Sequence, residues 1–493
     1  MHNKNFKIRF FSVFSIVLLC IACTNKILQN DTFYIIKLGE FISHHGVDMI
    51  DHYSWISGLV YTYPHWLYDL FIYVIYFNFG YFGVYVSTVF LFIILILSVY
   101  IINLRVNKNE LMAIIISIVI IPCLIGFASA RAQLITAILF LWEVYFIEKL
   151  IDSGKKGYVF LLVLISLLVA NLHATIWPFY FILYLPFIGQ HIIYKLLFLR
   201  RNGDFNFKKL DISEIKNFKL LLISFILGIF MGFLTPSKIC FTYVFKIMLG
   251  DSQSYIVEHA PMVLVNNLPF LIFVLVFLIV LIFSDTKIKL KELFMLCGLI
   301  FMSLSSVRHV ALFFIIGLLY LSILCNRYLI NKHDRTLEIL SNILVRNITI
   351  YLGLFVVVIL ISCYKFDENI SYDYVSYEEY PVQVVEFIKN NLEVDKIHLY
   401  NDYNFGSYLL FNDIPVFVDS RCDLYLKEFN GLEYSIFDDA MNIIYNYEEK
   451  FNFYGVTHVL ISKDGLFYKI LIKDDDYQVI YEDNSFILFK KMM

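Results

Sequence analysis

The chain has 493 residues, of which 60% are hydrophobic, 18% aromatic and only 16% charged, and its mean hydropathy is +0.72. An average soluble protein carries roughly 25% charged residues, and a water-soluble globule of this size could not bury so much apolar surface. The composition therefore excludes an ordinary cytosolic enzyme, a disordered chain and a collagen-like fibre. It predicts that lipid surrounds most of the chain.

The net charge of −3 conceals a division along the sequence. Residues 365–493 carry 24 acidic and 11 basic side chains, a net charge of −13, whereas residues 1–364 carry a net charge of +10. Such a change marks a domain boundary. We expect a transmembrane domain over residues 1–364, with a first external loop at 26–65, and a C-terminal extracytoplasmic α/β domain over 365–493.

Eleven apolar runs have about the length that a helix needs to cross a bilayer. They are centred on 10–25, 81–104, 111–129, 133–148, 158–172, 175–194, 218–235, 266–284, 292–306, 310–326 and 347–363. Several have only 15 or 16 residues, and the stretch 66–79 is a further short span or a helix in the membrane interface. The sequence predicts an α-helical polytopic membrane protein.

Loop charges predict its orientation in the plasma membrane. With the N-terminus inside, the N-terminal segment and the even-numbered loops hold 22 of the 28 basic residues before position 365. The positive-inside rule favours this arrangement. Eleven spans then place the N-terminus in the cytoplasm and the acidic C-terminal domain outside.

The C-terminal domain alternates helical and strand patterns, which favours a small α/β layer structure. Helices are predicted at 381–391 and 432–450, a turn with a short helix at 402–411, and strands at 396–400, 414–420, 457–462, 477–483 and 484–491.

Common catalytic and nucleic-acid-binding motifs are not visible, and the acidity of the C-terminal domain argues against nucleic acid as a partner. The eight cysteines have no paired spacing that would indicate a disulfide framework or a zinc site. A divalent cation is possible but is not required by the sequence. The informative signal is the position of the rare ionisable residues. In the predicted topology, a set of them gathers at the outer ends of the spans, namely Asp31, His44, His45, Asp48, Asp51, His65, Arg131, His173, Glu258, His259, Arg308 and His309.

Asp31 follows the first span within a few residues, and Asp48 and Asp51 stand in the same predicted external loop. A carboxylate there is a candidate general base, or a ligand of a divalent ion, for a reaction just above the lipid. The alternative is a solvated loop whose aspartates cap helices.

Arg131, His173, Arg308 and His309 interrupt apolar sequence, where a charge costs roughly 2.5–3.5 kcal/mol on insertion scales. Arginines and histidines that face one external cavity would suit a phosphate, because guanidinium donates bidentate hydrogen bonds. The alternatives are snorkelling at the span ends and structural ion pairs, including a pair of either arginine with Asp31.

Polar residues also follow two predicted strands of the C-terminal domain. Asp402 lies after the first, and Asp419, Arg421 and Asp423 lie at the end of the second. Because ligands bind at the carboxyl ends of strands in α/β domains, these residues are candidate substrate-binding groups. The alternative is that Asp419 and Arg421 form an ion pair that fixes a turn.

Several of these segments together resemble a group of bacterial multispan proteins related to glycosyltransferases of the GT-C fold. The resemblance rests on Asp31, GEFI at 39–42, HGV at 45–47, Asp51 with SW at 54–55, HWL at 65–67, ARAQ at 130–133, NDYNFGSYL at 401–409 and VFVDSRCDLY at 416–425. It covers nearly the whole chain. GT-C enzymes take sugars from polyprenyl-phosphate donors.

The resemblance implies a membrane glycosyltransferase that moves a sugar from a polyprenyl-phosphate-linked donor to an envelope glycan or lipid on the outer face. Asp31 would activate the acceptor or hold a metal, and Arg131 or Arg308 would neutralise the lipid phosphate. This chain has no Asp-Asp or Asp-x-Asp pair beside Asp31, and it has Gly406-Ser407 where the group usually has Gly-Gly. The alternatives are a non-catalytic component of envelope polysaccharide assembly or transport, and a glycan polymerase or ligase.

Overall fold

The computed structural model of the chain describes residues 2–201, 209–241, 243, 257–283, 287–331 and 347–492. The chain divides into two compact units. The first, which we call the helical unit, comprises Met1–Asn25, Thr88–Cys240 and Ile256–Ser371. The second, the mixed unit, comprises Lys26–Ser87, Phe241–Tyr255 and Tyr372–Met493. The predicted boundary after residue 364 stays a prediction, but the segment 26–87 belongs to the same unit as the C-terminal residues.

Helices dominate the described part of the chain up to residue 370. They are α1 (His2–Cys23), α2 (Asn30–His45), α3 (Trp66–Asn107), α4 (Glu110–Cys123), α5 (Gln133–Ser153), α6 (Lys156–Leu172), α7 (Trp177–Ile182), α8 (Leu185–Arg201), α9 (Phe218–Met231), α10 (Leu268–Phe283), α11 (Leu290–Ser305), α12 (Leu318–Asn331) and α13 (Ile348–Ile370). A helical turn, Val310–Leu312, and a π-helical stretch, Phe313–Gly317, precede α12. Two short parallel strands, β1 (Leu210–Asp211) and β2 (Ile288–Lys289), pair with each other.

Five helical stretches of the described residues are long and apolar enough to cross a membrane, as expected of a multi-pass membrane protein. They are Phe6–Cys23, Trp66–Asn107, Ala174–Leu199, Val307–Tyr328 and Ile348–Asn369. Four shorter apolar helices accompany them. The predicted count of eleven spans is not confirmed. The stretch 66–79 is helical and continues into the next predicted span, with a break in helical geometry at Gly80.

Hydrogen bonds between polar side chains link the helices of the helical unit. The Ser322 hydroxyl of α12 donates to Asn103 Oδ1 of α3 at 2.7 Å and accepts from Asn107 Nδ2 at 2.8 Å. Arg327 of α12 donates two hydrogen bonds, at 2.6 and 2.7 Å, to the carboxylate of Glu292 in α11. Hydrogen bonds between helices are common in membrane proteins. Lipid tails are as apolar as the helix side chains, so the hydrophobic effect alone does not bring the helices together.

The C-terminal part of the mixed unit contains six short helices and one sheet. The helices are α14 (Val382–Asn391), α15 (Gly406–Phe411), α16 (Lys427–Asn430), α17 (Ile436–Met441), α18 (Tyr447–Tyr454) and α19 (Leu466–Leu471). The strands are β3 (Leu399–Asn401), β4 (His458–Ser462), β5 (Tyr477–Glu482) and β6 (Phe486–Lys491).

The sheet has the strand order β3-β4-β6-β5. β3 runs parallel to β4, whereas β6 pairs antiparallel with both β4 and β5. Buried side chains from β3, β4 and β6 supply much of its core. The predicted small α/β arrangement is therefore present.

Two predicted elements of this region are wrong. The segment 414–420 is not a strand of the sheet, because several of its backbone polar atoms bond to other partners. The Asn401 side chain accepts from Phe417 N at 2.9 Å and donates to Val418 O at 2.7 Å, and Val416 pairs with Ser54. The predicted helix at 432–450 is divided into α17 and α18, separated by non-helical backbone at Asn446 (φ −152°).

Gly406, at the start of α15, allows two backbone segments to approach closely. A Cβ atom at this position would lie 2.1 Å from Val418 O and 2.8 Å from Asp419 Cα. Since both are backbone atoms, neither segment has a flexible side chain that can move aside. This close contact packs the segment 414–420 against residues 401–407, the NDYNFGS segment.

We predict that Gly406→Ala destabilises the protein by about 1–3 kcal/mol or more, because the added methyl group overpacks this contact. Gly465→Ala is the matched control, since its Cβ would be 3.7 Å or more from its neighbours. Thermal unfolding of the detergent-purified protein measures both. Equal midpoints for the two variants would contradict the packing argument.

Candidate functional site

Arg421 is at the centre of a buried charge cluster in the mixed unit. Its Nε donates to Asp419 Oδ1 at 2.9 Å and its Nη2 to Asp419 Oδ2 at 2.7 Å, while Nη1 donates to Asp51 Oδ1. The Tyr425 hydroxyl donates to Asp419 Oδ2 at 2.6 Å. The rings of Tyr53 and Tyr61 lie 5.6 and 5.1 Å from the guanidinium carbon. The side chain of Arg421 is 0% exposed, so the two carboxylates replace its water shell.

This cluster joins the α2–α3 loop, residues 46–65, to the segment 416–425. Burial alone would lower the pKa of Arg421, but Asp419 and Asp51 outweigh that effect and raise it well above the ordinary value. Asp51 is 1% exposed and also accepts from Ser54 N at 2.8 Å. The ion pair of Asp419 and Arg421 that the sequence allowed is therefore present, and it includes a third partner from the loop.

Asp48 lies at the surface of the same loop. Its carboxylate is 2.6 Å from His52 Nε2 and accepts from Ile50 N at 3.1 Å. Burial opposes ionisation of Asp48, but these hydrogen bonds outweigh it, so the pKa of its carboxyl is below the ordinary value. A carboxylate that ionises so readily is a weak proton acceptor. The catalytic roles suggested for Asp48 and Asp51 stay predictions.

Asp31 is half-buried in the first turn of α2, where an acidic side chain is favoured by the helix dipole. Its neighbour Asn30 donates from Nδ2 to Tyr403 O at 3.2 Å, so this end of α2 contacts the turn that follows Asp402. Three residues after Asp31, on the same side of the helix, Tyr34 directs its hydroxyl at His65.

Two further carboxyl groups of the mixed unit, those of Asp402 and Asp423, are buried with few compensating charges nearby. Burial raises the pKa of Asp402 to about 6, despite a hydrogen bond of 2.9 Å from Ser462 N. Burial also raises the pKa of Asp423 to about 6, and His65 opposes this effect only in part. Shifted carboxyl groups of this kind are typical of functional sites, although structural networks produce them as well. The substrate-binding roles of both residues stay predictions.

The helical unit contains a second charge cluster, which we call the arginine cluster: Arg131, Glu258, His259 and Arg308. Arg131 Nη1 is 3.2 Å from Glu258 Oε1, and Arg308 Nη1 is 2.6 Å from His259 Nε2. The sequence predicts all four residues at the outer ends of spans, and the structure brings them together.

The electrostatics of the arginine cluster leave it positive. Burial and the neighbouring Arg308 lower the pKa of His259 to about 4, so its imidazole is neutral at pH 7. Burial raises the pKa of Glu258, but Arg131 outweighs this effect and keeps the carboxyl ionised. Among the described residues, this cluster thus combines two guanidinium groups with one carboxylate.

The two remaining candidates of the helical unit have neutral partners. His173 Nδ1 is 3.2 Å from Thr136 Oγ1, and His309 Nδ1 is 3.1 Å from Met302 O. Their substrate-binding roles stay predictions. Within the described residues, no group of three or more His, Cys, Asp or Glu side chains is arranged to hold a metal ion.

Sequence reasoning did not select Tyr34 or Asp69. Each stands at a helical spacing from a residue that it did note, Tyr34 three residues after Asp31 and Asp69 four residues after His65. An acidic or phenolic group one turn from a candidate base is a pattern that the sequence alone could have shown. That His65 lies between these two side chains and contacts both could not be inferred from the sequence in the same way.

No protein-family model matches this chain, and no curated protein sequence matches it. Solved structures do match. The archaeal oligosaccharyltransferase AglB from Archaeoglobus fulgidus, in complex with an inhibitory peptide and a dolichol-phosphate, aligns with a TM-score of 0.62 and 10% identity over 92% of this chain and 69% of its own. ArnT from Cupriavidus metallidurans, bound to undecaprenyl phosphate, aligns with a TM-score of 0.57 and 10% identity over 98% of this chain and 97% of its own.

At 10% identity this likeness shows the fold. The chain has the fold of these GT-C glycosyltransferases, which confirms the resemblance that its motifs indicated. The likeness extends over nearly the whole chain, so it includes both compact units.

Proposed function

We propose that the protein is a membrane glycosyltransferase that transfers a sugar from a polyprenyl-phosphate donor to an envelope glycan or lipid on the outer face of the plasma membrane. Two proteins of the same fold have been solved with such lipids, AglB with a dolichol-phosphate and ArnT with undecaprenyl phosphate. The observation that carries the proposal is the arginine cluster, because Arg308 is exposed and donates to a neutral imidazole, so its guanidinium is accessible to an anionic ligand.

The arginine cluster suits a phosphate ester. Arg308 donates to a neutral imidazole, so its charge is not cancelled by that partner. Guanidinium presents several N–H groups in one plane and can donate two of them to phosphate oxygens. As the bond between the sugar and the phosphate breaks, negative charge grows on the phosphate, and fixed cations stabilise that transition state more than the ground state.

Asp31 is the residue we propose to activate the acceptor. A carboxylate at this position can take the proton of an acceptor hydroxyl as its oxygen attacks the anomeric carbon. The half-buried side chain of Asp31 keeps contact with solvent, through which a polar acceptor can approach.

We expect Arg308→Gln to weaken binding of undecaprenyl phosphate by roughly 10- to 100-fold, since a hydrogen bond to a charged group contributes about 1.5–3 kcal/mol. Binding is measured on detergent-purified protein with undecaprenyl phosphate and, in parallel, undecaprenol, which lacks the phosphate. Arg105→Gln is the control, because Arg105 lies outside the cluster and faces the ring of Tyr145. Equal affinity for both lipids, or unchanged binding by Arg308→Gln, would contradict the proposed donor site.

We expect Asp31→Asn to lower sugar transfer by at least about 100-fold, the usual contribution of a general base, while undecaprenyl phosphate still binds. Transfer is measured in membranes supplied with radiolabelled polyprenyl-phosphate sugars. Glu40→Gln is the matched control, since Glu40 is a carboxylate of the same helix that pairs with Lys37 at 2.8 Å. Equal transfer by wild type and Asp31→Asn would remove Asp31 from the reaction. Lipid binding without any transfer would favour an assembly or transport component.

A further inference from the structure

A chain of hydrogen bonds leads from α2 to a buried carboxylate of α3 within the mixed unit. The Tyr34 hydroxyl is 3.2 Å from His65 Nε2, and His65 Nδ1 is 2.7 Å from Asp69 Oδ1. Asp69 is 0% exposed and His65 is 13% exposed. The mechanism proposed above does not use any of these three side chains.

Asp69 selects the tautomer of the His65 imidazole. Its second oxygen, Oδ2, is buried and has no hydrogen-bond partner among the described residues. An ionised carboxylate can only accept, so with Asp69 ionised the Nδ1–H of His65 donates to Oδ1 and Nε2 accepts from the Tyr34 hydroxyl. A carboxylate that orients an imidazole in this way also stabilises the imidazolium ion that forms when Nε2 takes up a proton.

Backbone packing fixes the distance between the two helices. A Cβ atom on Gly39 of α2 would lie 2.2 Å from Asp69 O of α3 and 2.5 Å from Tyr73 Cβ. Only glycine permits the two helices to approach so closely. The contact joins α2, which carries Tyr34, to the backbone of Asp69, whose carboxylate binds His65. The alignment of the three groups is therefore built into the packing of α2 on α3.

We propose that Tyr34, His65 and Asp69 form a proton relay that takes the acceptor proton from Asp31, an inference that rests on the glycosyl transfer proposed above. Tyr34 stands three residues after Asp31, so the two side chains share a face of α2. Tyr34 is the residue of the relay that meets the reacting proton, and Asp69 is a positioning residue.

The acceptor oxygen forms a bond to the anomeric carbon, the bond from that carbon to the phosphate oxygen breaks, and the polyprenyl phosphate leaves. The acceptor proton passes to Asp31 and on to the Tyr34 oxygen, as the Tyr34 proton moves to His65 Nε2. Asp31 is thereby restored as a carboxylate, and one proton rests on His65 beside Asp69. An imidazole holds a proton more tightly than a carboxylate does in water, so the transfer runs towards His65.

The relay makes turnover depend on pH. Among the described residues, Tyr34 from α2 and Asp69 from α3 lie within hydrogen-bond distance of His65, and Asp423 from the turn 422–425 interacts with it electrostatically. Tyr61 of the α2–α3 loop lies within electrostatic range of Tyr34 and Asp69. His65 accepts a proton only when it is neutral, so we expect kcat to fall at acid pH. Asp69 favours the charged imidazole, and its removal moves this fall to lower pH.

The test measures kcat and donor KM against pH for wild type, Tyr34→Phe, His65→Gln, the double variant and Asp69→Asn, with radiolabelled polyprenyl-phosphate sugars. We expect Tyr34→Phe and His65→Gln each to lower kcat by about 10- to 100-fold with donor KM unchanged, and the double variant to be no slower than either. The acid fall of kcat disappears in both single variants, and Asp69→Asn shifts it to lower pH. His398→Gln is the control, because His398 stacks on Trp55 outside the relay.

Additive losses, or the wild-type pH profile in His65→Gln, would overturn the relay while leaving the transferase proposal in place. Tyr34→Phe keeps the ring and removes only the hydroxyl, so an unchanged kcat in that variant would also overturn it. A wild-type protein that binds the donor but transfers no sugar at any pH would contradict both proposals.

Discussion

The mixed unit depends on the burial of one guanidinium group. Arg421 is enclosed by Asp419 from its own segment and by Asp51 from a loop 370 residues earlier, and it has no exposed surface. Removing one partner of a buried pair leaves an unpaired charge, which typically costs about 3–5 kcal/mol. The ion pair between Arg421 and Asp51 joins distant parts of the sequence, which explains why the α2–α3 loop belongs to the same unit as the C-terminal residues.

The ion cluster around Arg421 also positions the candidate functional groups of the mixed unit. α2, which ends where the loop begins, carries Asp31 and Tyr34, and α3, which begins where the loop ends, carries Asp69. The segment held by Arg421 carries Asp423, which interacts electrostatically with His65. A single buried ion cluster thus positions side chains from three distant parts of the sequence.

The charge cluster of the helical unit differs from that of the mixed unit, because it is exposed and its described charges do not balance. Glu258 compensates one of its two arginines in the arginine cluster, whereas the other donates to a neutral imidazole. Full compensation would indicate a structural role. The remaining positive charge is the feature that favours an anionic ligand, and the lipid phosphates bound by proteins of this fold are such ligands.

The sequence predicted these features where composition or local pattern carries the information. Hydropathy identified a multi-pass membrane protein, alternation identified β3 to β6, and the motifs around Asp31 and Arg421 identified the fold. It failed where tertiary contacts override a local pattern. The segment 414–420 has the apolar alternation of a strand, but the Asn401 amide and the α2–α3 loop take its backbone hydrogen bonds. The pairing of Arg421 with Asp51 and that of Arg308 with His259 could not be predicted, because each partner lies far away in the chain.

The central claim is that this protein breaks the bond between a sugar and a polyprenyl phosphate and passes the sugar to a hydroxyl acceptor. The most direct measurement is the stoichiometry of that exchange: purified protein in lipid nanodiscs, a synthetic polyprenyl-phosphate sugar, an envelope extract as acceptor, and mass spectrometry of both products. The account predicts one free polyprenyl phosphate for each sugar gained by the acceptor. Donor that remains intact in the presence of acceptor, or sugar released only to water, would contradict it.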